Sequence, residues 1–482
     1  MTRSVTDFLL YRWRYVLGYS LVGVILAILL VLAGLYSPGG LTSEEMASAI
    51  KASLISYEHF DPAMVINLPF SLLQKASFAV LGVSTLSIKL PSLILGFLAV
   101  LGLIPLLAMW FRQNVSLITV ALVVTSGQFL FIAQSGTPNI LYIFYAVWIL
   151  LAATMILRRA KFLIVWKILL FILAALSLYT PLSIYVFIAM FLATVFHPHL
   201  RYLFKRLNPT KTAIAAALGI VIIASLAYAI IQNPSIGLEL LGIPKAWPSP
   251  IDNIVLLYQQ YFDFVAPHSG EIMTPVYGLG SMALVLLGIF RLFTTKYTAR
   301  SYIVSAWFLF ILPIVIISPQ YITILFVPIV LLLAMGVQAL ISYWYQLFPR
   351  NPYARIVGLI PLTILVVSMT LSGIERYMYG YHYDPMIARN FSQDLRLLNK
   401  EIHQHDKVTL VVQDNEKRFY DVVAKYNPKL SVTVTLPADQ TTMLVSHAAS
   451  AKRPTGITPE SIITDRLSTD ADRFYLYKNS SK

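Results

Sequence analysis

The segment LTSEEMASAI, residues 41–50, sets two adjacent carboxylates, Glu44 and Glu45, at the start of a stretch with helical periodicity, just past the first long apolar run. Thr42 and Glu45 have the spacing of a capping box, in which the hydroxyl accepts from the third helical N–H and the carboxylate reaches back to the Thr42 amide. That assigns Glu45 to structure. Glu44 has no part in the cap, and a carboxylate at a water–lipid boundary suits a general base; an acidic first turn also suits the helix dipole without any chemistry. No HExxH, phosphate-binding loop, G-x-S-x-G or dinucleotide fingerprint occurs in the chain. His197 and His199 lie beside Arg201, and two imidazoles fall short of the three or four ligands of a tight zinc site, so they read as solvated loop. With no cysteine, disulfides, thiolate metal sites and a Cys nucleophile are excluded.

The elements that must position these groups lie in a membrane. The 482 residues are 58% hydrophobic and 12% charged, with a mean hydropathy of +0.73, whereas soluble chains carry roughly 25% charged residues. Apolar runs near the ~20 residues needed to span a bilayer cover residues 15–35, 91–111, 117–133, 140–157, 162–179, 181–196, 212–231, 276–290, 302–317, 321–343 and 356–374. The first, behind Arg3, Arg12 and Arg14, is too long for a signal-peptide core and reads as a retained signal anchor. A net charge of +14 would fit nucleic acid if it formed a stripe, but the cations fall in short loops between apolar runs, so nucleic acid is excluded as a partner. Loops rich in Arg and Lys, such as those with Arg112, Arg158 and Arg201, are assigned to the cytoplasm. The sparser side, with Lys51, Lys75, Lys89 and Lys245, is assigned outside. An odd number of spans then places the C-terminus outside the cytoplasm.

Two outer segments, residues 36–90 and 232–275, are too long for turns and are expected to meet over one cavity, with Glu44 in reach of residues 258–271. In the first, Met46, Ala49, Ile50 and Leu54 recur at helical spacing opposite Glu44, Ser48 and Lys51, which predicts a helix lying along the membrane surface. A second such helix is expected over residues 68–81. Beyond Arg376 charges appear throughout, and short apolar runs at 408–412 and 441–446 alternate with helical stretches. The expected fold is an all-α polytopic membrane protein of about eleven spans, with amphipathic helices in its first outer loop, and a small α/β C-terminal soluble domain. Its parts are residues 1–380 and 381–482.

The order of these segments resembles the C-type glycosyltransferase superfamily, in the branch of the protein O-mannosyltransferases and lipid A aminoarabinose transferases. EEMASA (Glu44 to Ala49) is similar to that family's DE-x-x-Y-A motif. Asn67 to Pro69, Leu81-Gly82 and Lys89 to Ser92 are similar to its K/H-P-P-L stretch, its F-G and its R-L-P-S signature. TSGQFLFIAQSGTPNILYIF (Thr125 to Phe144) resembles the family's third and fourth spans, in which an Arg-Pro-Asp usually sits at the outer turn. YQQYFDFVAPHSGE (Tyr258 to Glu271) and SPQYITILFVPIVLLLAMG (Ser318 to Gly336) resemble its large outer loop and penultimate helix.

The resemblance implies an inverting transferase in the cell membrane that takes a sugar from a polyprenyl-phosphate donor and places it on a lipid, glycan or protein acceptor at the outer face. It implies Glu44 as base. Asn139 stands where the family has an acid and Asn67 where it has Lys or His, removing a charge that would assist a base or hold a metal and a cation that would face the donor phosphate. No metal ligand set is assigned; a divalent cation remains an open question. Lys75, Lys89, Lys245 and Arg376 are the candidates for binding the donor phosphate, although Lys89 and Arg376 would also serve to anchor helix ends. Tyr258, Tyr261 and His268 join Asn67 as cavity-lining candidates, or form an interfacial aromatic belt. Two other readings stay open. One is a transporter or flippase of a lipid-linked precursor, against which the spans hold almost no charge apart from Lys167. The other is a non-catalytic, lipid-binding relative.

Overall fold

The membrane part is helical throughout. Its helices are α1 (Arg14–Leu35), α2 (Ser43–Leu54), α3 (Leu68–Leu81), α4 (Thr85–Trp110), α5 (Gln113–Val124), α6 (Gly127–Gln134), α7 (Ile140–Leu157), α8 (Leu163–Ser177) and α9 (Ile184–Phe196). They continue as α10 (Pro198–Lys205), α11 (Pro209–Gln232), α12 (Pro234–Leu240), α13 (Pro250–Phe262), α14 (Leu279–Thr294), α15 (Ala299–Ile317), α16 (Phe326–Leu347) and α17 (Pro352–Tyr383). The computed structural model describes residues 13–55, 61–206, 209–244, 246–264, 272–295, 298–347, 352–436, 442–453, 458–465 and 471–478. Arg3, Arg12, Lys245, His268, Glu271 and Thr441 lie outside the described residues.

Seven described helices are long and apolar enough to cross a membrane: α1, α4, α7, α11, α15, α17 and α16 with the 3-10 turn before it. Two bent pairs, α5 with α6 at 61° and α9 with α10 at 98°, pass only when each pair is taken together, as a broken span or a re-entrant loop. α8 and α14 are apolar but shorter. Every expected span therefore has a helical counterpart, and the chain is a multi-pass membrane protein. The break between α5 and α6 has a local cause. Thr125 Oγ1 and Ser126 Oγ turn back to the carbonyls of Ala121 at 2.9 Å and Val123 at 2.7 Å. Ser126 then caps α6 by accepting the Phe129 amide, so the hydroxyls supply the partners that the interrupted ladder loses.

Without a hydrophobic force between helices in lipid, close packing depends on small side chains. α14 and α16 meet backbone to backbone: a Cβ on Gly288 would lie 2.0 Å from the Leu332 carbonyl oxygen, and one on Gly336 1.9 Å from that of Leu284. Lys167, inside α8, is buried and donates to Thr212 Oγ1 on α11.

The C-terminal domain contains α18 (Pro385–Ala388), α19 (Asp394–Gln404), β1 (Val408–Val411), α20 (Asp414–Lys425), β2 (Leu430–Thr433), β3 (Thr442–Ser446), β4 (Ser461–Thr464) and β5 (Asp472–Lys478). The sheet order is β2-β1-β3-β5-β4, with β1 parallel to β2 and β3, and β5 antiparallel to β3 and β4. α20 is the crossover that the parallel β1–β2 pair requires. All four residues of β1 are buried, as expected of a strand covered on both faces. α17 runs on to Tyr383, past the boundary expected at 380/381 and well beyond residue 374, where its span was expected to stop.

Most of the apolar edge of α2 is covered by protein and not by lipid, which corrects the expectation above for Met46, Ala49 and Ile50, while Leu54 stays exposed. Ala49 and Ala52 of α2, with Phe78 and Ile88, share one buried cluster with Leu398, Leu410 and Val423 of the C-terminal domain, and Met46 and Ile50 pack against it. Lys425 Nζ donates to the Ser53 carbonyl at 3.0 Å, and Phe78 meets Tyr426 edge to face. Leu41 and Ser392 form a two-way backbone bridge. An amphipathic stripe fits lipid or protein equally well, and here a protein surface covers it.

Candidate functional site

The capping box at the start of α2 is present: Glu45 N–H donates to Thr42 Oγ1 at 3.2 Å and Thr42 N–H to Glu45 Oε2 at 2.8 Å. Glu45 does more than cap. It is wholly buried, its Oε1 accepts the Gly136 N–H at 2.6 Å, and Lys89 Nζ lies 3.7 Å away, equally buried. Lys89 in turn donates to Gln134 Oε1 at 2.6 Å. Gln74 Nε2 bridges the carbonyls of Ile88 and Gly136, and its Oε1 accepts from Ser48. One buried network therefore ties α2, α3, α4 and the turn after α6. Sequence reasoning missed Ser48, Gln74, Gln134 and Gly136, although Ser48, Gln134 and Gly136 lie inside the segments that carry the family resemblance and Gln74 lies between two of them. Amides give no local signal of what they will bond.

Glu44, one residue away, points the other way. It is exposed, and among the described residues it has no hydrogen bond or ion pair. Asn139 begins α7 in helical conformation without capping it, three residues from the Gly136 amide that Glu45 holds. The first-loop acids and the turn between the third and fourth spans thus come together, with Glu45 as the link.

Asn67 adopts a left-handed conformation, φ 59°, at the start of α3. Asn tolerates that region better than most residues, which gives its presence a backbone reason. Its N–H donates to the Tyr179 carbonyl at 2.8 Å, while its buried Oδ1 has no partner among the described residues.

The candidate phosphate cations separate. Lys89 is fully buried in the network, so it presents no surface to a ligand in this conformation. Lys75 donates to the Ile55 carbonyl at 2.6 Å at the end of α2, where a cation is favoured by the helix dipole. Arg376, on α17, is half-buried beside a cavity of about 330 Å³. It has no ion-pair or hydrogen-bond partner among the described residues. Tyr261 is buried against Tyr277, stacked at 6.1 Å, and burial pushes its phenol pKa upward. Tyr258 is exposed and stacks on Phe262.

The two long loops do meet, but through other residues. Val65 and Ile66 pack on Ile236 and Leu240 together with Tyr179. Lys51 donates to the Ile66 carbonyl at 2.8 Å; burial pushes its ammonium pKa down, opposed by Glu239 of α12.

No group of three or more His, Asp or Glu that could hold a metal ion is assembled among the described residues, so no step is derived through a divalent cation. His197 caps α10 by accepting the Leu200 amide at 3.4 Å and meets His199 and Tyr302 edge to face. That is a helix-end role.

A broken span, loop helices packed over the ends of the spans and a docked α/β domain make up a fold that solved structures share. Among solved structures, ArnT from Cupriavidus metallidurans bound to undecaprenyl phosphate matches over 96% of this chain and 98% of its own, with a TM-score of 0.52 and 10% identity. The same protein in the apo state matches over the same shares, with a TM-score of 0.49 and 12% identity. At such identity the likeness is one of fold, and it is the fold of the lipid A aminoarabinose transferase branch that the motifs resemble. No protein-family model matches the chain, and no curated protein sequence matches it.

Proposed function

We propose that this protein is a membrane glycosyltransferase that moves a sugar, with inversion, from a polyprenyl-phosphate donor to a hydroxyl of a lipid, glycan or protein acceptor on the outer face. The observation that carries the reading is a fold shared along nearly the whole chain with ArnT, one structure of which holds undecaprenyl phosphate. At the site, Glu44 is left exposed beside a neighbour whose carboxylate is fully engaged. In the proposed step Glu44 accepts the proton of the acceptor hydroxyl as its oxygen bonds to the anomeric carbon. The bond from that carbon to the phosphate oxygen breaks, and the polyprenyl phosphate leaves with the electron pair. Glu45 holds the first turn of α2, and hence Glu44, against the turn at Gly136.

Purified protein in liposomes, given a radiolabelled polyprenyl-phosphate sugar, is expected to pass the label to a hydroxyl acceptor. Label that stays on the carrier with every acceptor class would overturn the reading. A non-catalytic, lipid-binding role is favoured by Asn139 and Asn67 at positions where the family carries charge; donor binding without turnover would support it. Movement of the precursor across the bilayer without transfer would favour a flippase.

The cation bias of the loops supports a C-terminal domain outside the cytoplasm. Protease added to intact spheroplasts is expected to remove it. Protection until the membrane is opened would invert the topology and take an outer-face reaction with it.

A further inference from the structure

A cavity of about 440 Å³ opens where α9 bends by 98° into α10. That volume lies within the ~300–1,000 Å³ of pockets that bury a whole ligand. Most of its wall is apolar. α7 contributes Ala153, Ile156 and Leu157, spaced to share one helix face, and α9 contributes Met190, Phe191 and Val195. Leu170 of α8 also lines it; α8 begins at Leu163, so at 1.5 Å per residue this wall reaches roughly 10 Å below the helix end. Thr194, the one uncharged hydroxyl among the described lining residues, turns back to the Met190 carbonyl at 2.8 Å, and its proton is already engaged.

The charges at this cavity are of one sign and at one end. Arg201 and Lys205, one turn apart on α10, share a side of that helix and line the cavity together. Among the described residues neither has an ion-pair or hydrogen-bond partner. No Asp or Glu occurs between Asp61 and Glu239 or between Glu271 and Glu375, the stretches that supply α3 to α11 and α14 to α16. The countercharge therefore comes from outside the chain. α10 crosses the end of α9 in the attitude of an interfacial helix, which sets the cations at headgroup level and the apolar wall at hydrocarbon depth. Phe191 and Phe204, 67% and 61% exposed, stand at the mouth. An anionic head with a hydrocarbon chain satisfies both parts. Free phosphate would leave the apolar wall uncovered, and a lipid without net charge would leave the two cations unpaired.

We infer that this cavity holds an anionic glycerophospholipid of the leaflet in which α10 lies, its phosphate beside Arg201 and Lys205 and an acyl chain against Ala153, Leu170 and Met190. The loop that carries Glu44 sits at the opposite ends of these helices: Asn67 donates to Tyr179, just past the end of α8, whereas the cavity lies towards its start. A carrier engaged in the proposed transfer is therefore not the occupant. A phospholipid seated here ties α7, α8, α9 and α10 together across a gap that their own side chains leave open.

Native mass spectrometry on delipidated full-length protein in detergent tests this with four probes: phosphatidylglycerol, phosphatidylcholine with the same acyl chains, undecaprenyl phosphate and inorganic phosphate. Wild type is expected to bind phosphatidylglycerol in preference to the other three. Arg201→Gln combined with Lys205→Gln should weaken it about 10- to 100-fold, the usual worth of two cations beside an anionic headgroup. Arg201→Lys combined with Lys205→Arg keeps both charges and should keep most of the affinity. Arg158→Gln combined with Arg159→Gln removes as much charge from the neighbouring turn, outside the cavity, and should change little. Ala153→Phe fills the apolar wall and should weaken phosphatidylglycerol binding with both cations in place. Thermal unfolding on the same samples shows that each variant is folded, and added phosphatidylglycerol should raise the melting temperature of wild type more than that of the Gln pair at 201 and 205. Equal affinity for the two phospholipids would overturn the inference. So would an equal loss from the two charge-removing pairs, which reports a diffuse surface field and no site, or unchanged binding in Ala153→Phe. Undecaprenyl phosphate or inorganic phosphate displacing phosphatidylglycerol from wild type at lower concentration would overturn the assignment of the occupant.

Discussion

Glu44→Gln should lower sugar transfer by ~10² to 10⁴-fold, the usual worth of a positioned base, and leave folding and lipid binding intact. The expectation follows from the contrast between two adjacent carboxylates. Glu45 has both oxygens engaged, one by the Thr42 amide and one by the Gly136 amide, with Lys89 3.7 Å away. A carboxylate held like that cannot take a substrate proton without breaking the junction it supports. Glu44 is exposed and has no structural partner among the described residues, so its neutral isostere removes the proton acceptor and little else. The assay is transfer from a radiolabelled polyprenyl-phosphate sugar by purified variant and wild type, with thermal unfolding and undecaprenyl phosphate binding recorded on the same samples. Residual activity equal to wild type would remove Glu44 from the mechanism and, with Asn67 and Asn139 neutral, strengthen the non-catalytic reading.

Lys89→Met should destabilise the protein by about 3–5 kcal/mol, because removing one partner of a buried ion pair strands the other charge in a low-dielectric interior. The stranded group is Glu45, and its remaining hydrogen bonds to the amides of Thr42 and Gly136 do not supply a countercharge. Combining the change with Glu45→Gln should recover part of the loss, since a neutral amide still accepts from a backbone N–H while no charge is left unpaired. A cap alone is worth ~1 kcal/mol, so the size of the effect separates a capping Glu45 from one that locks α2, α4 and the turn after α6 together. Thermal unfolding in detergent reads this directly. A Lys89→Met variant that melts with wild type, or a double variant worse than the single, would show that the pair does not hold the junction.

The same residues show what is legible in a chain and what is not. Hydropathy runs located each span because the bilayer acts on every helix separately, and a run of ~20 apolar residues satisfies that solvent without reference to the rest of the protein. The Thr42–Glu45 cap was readable for a similar reason: its partners are three residues apart, so local geometry decides it. The C-terminal α/β domain could be assigned to its class from alternating short apolar runs and helical stretches, whereas the order β2-β1-β3-β5-β4 depends on which strands pair.

Three features were decided only by tertiary structure. An apolar stripe on α2 states that something apolar must cover it, and only the packed chain shows that the C-terminal domain does so in place of lipid. A lysine near the start of a span reads as an interfacial anchor until its neighbours are known, and only folding brings Lys89 to Glu45 and Gln134. Arg376 looked like one candidate cation among four, and it stands beside a cavity because α17 packs against the broken span, where Gly373 leaves so little room that a Cβ would meet the Thr125 carbonyl oxygen at 2.4 Å. Periodicity and hydropathy are properties of a segment and its solvent. Ion pairs, buried amides and cavities are properties of segments far apart in the chain that compete for one another's surfaces, and that competition is settled only when the whole molecule packs.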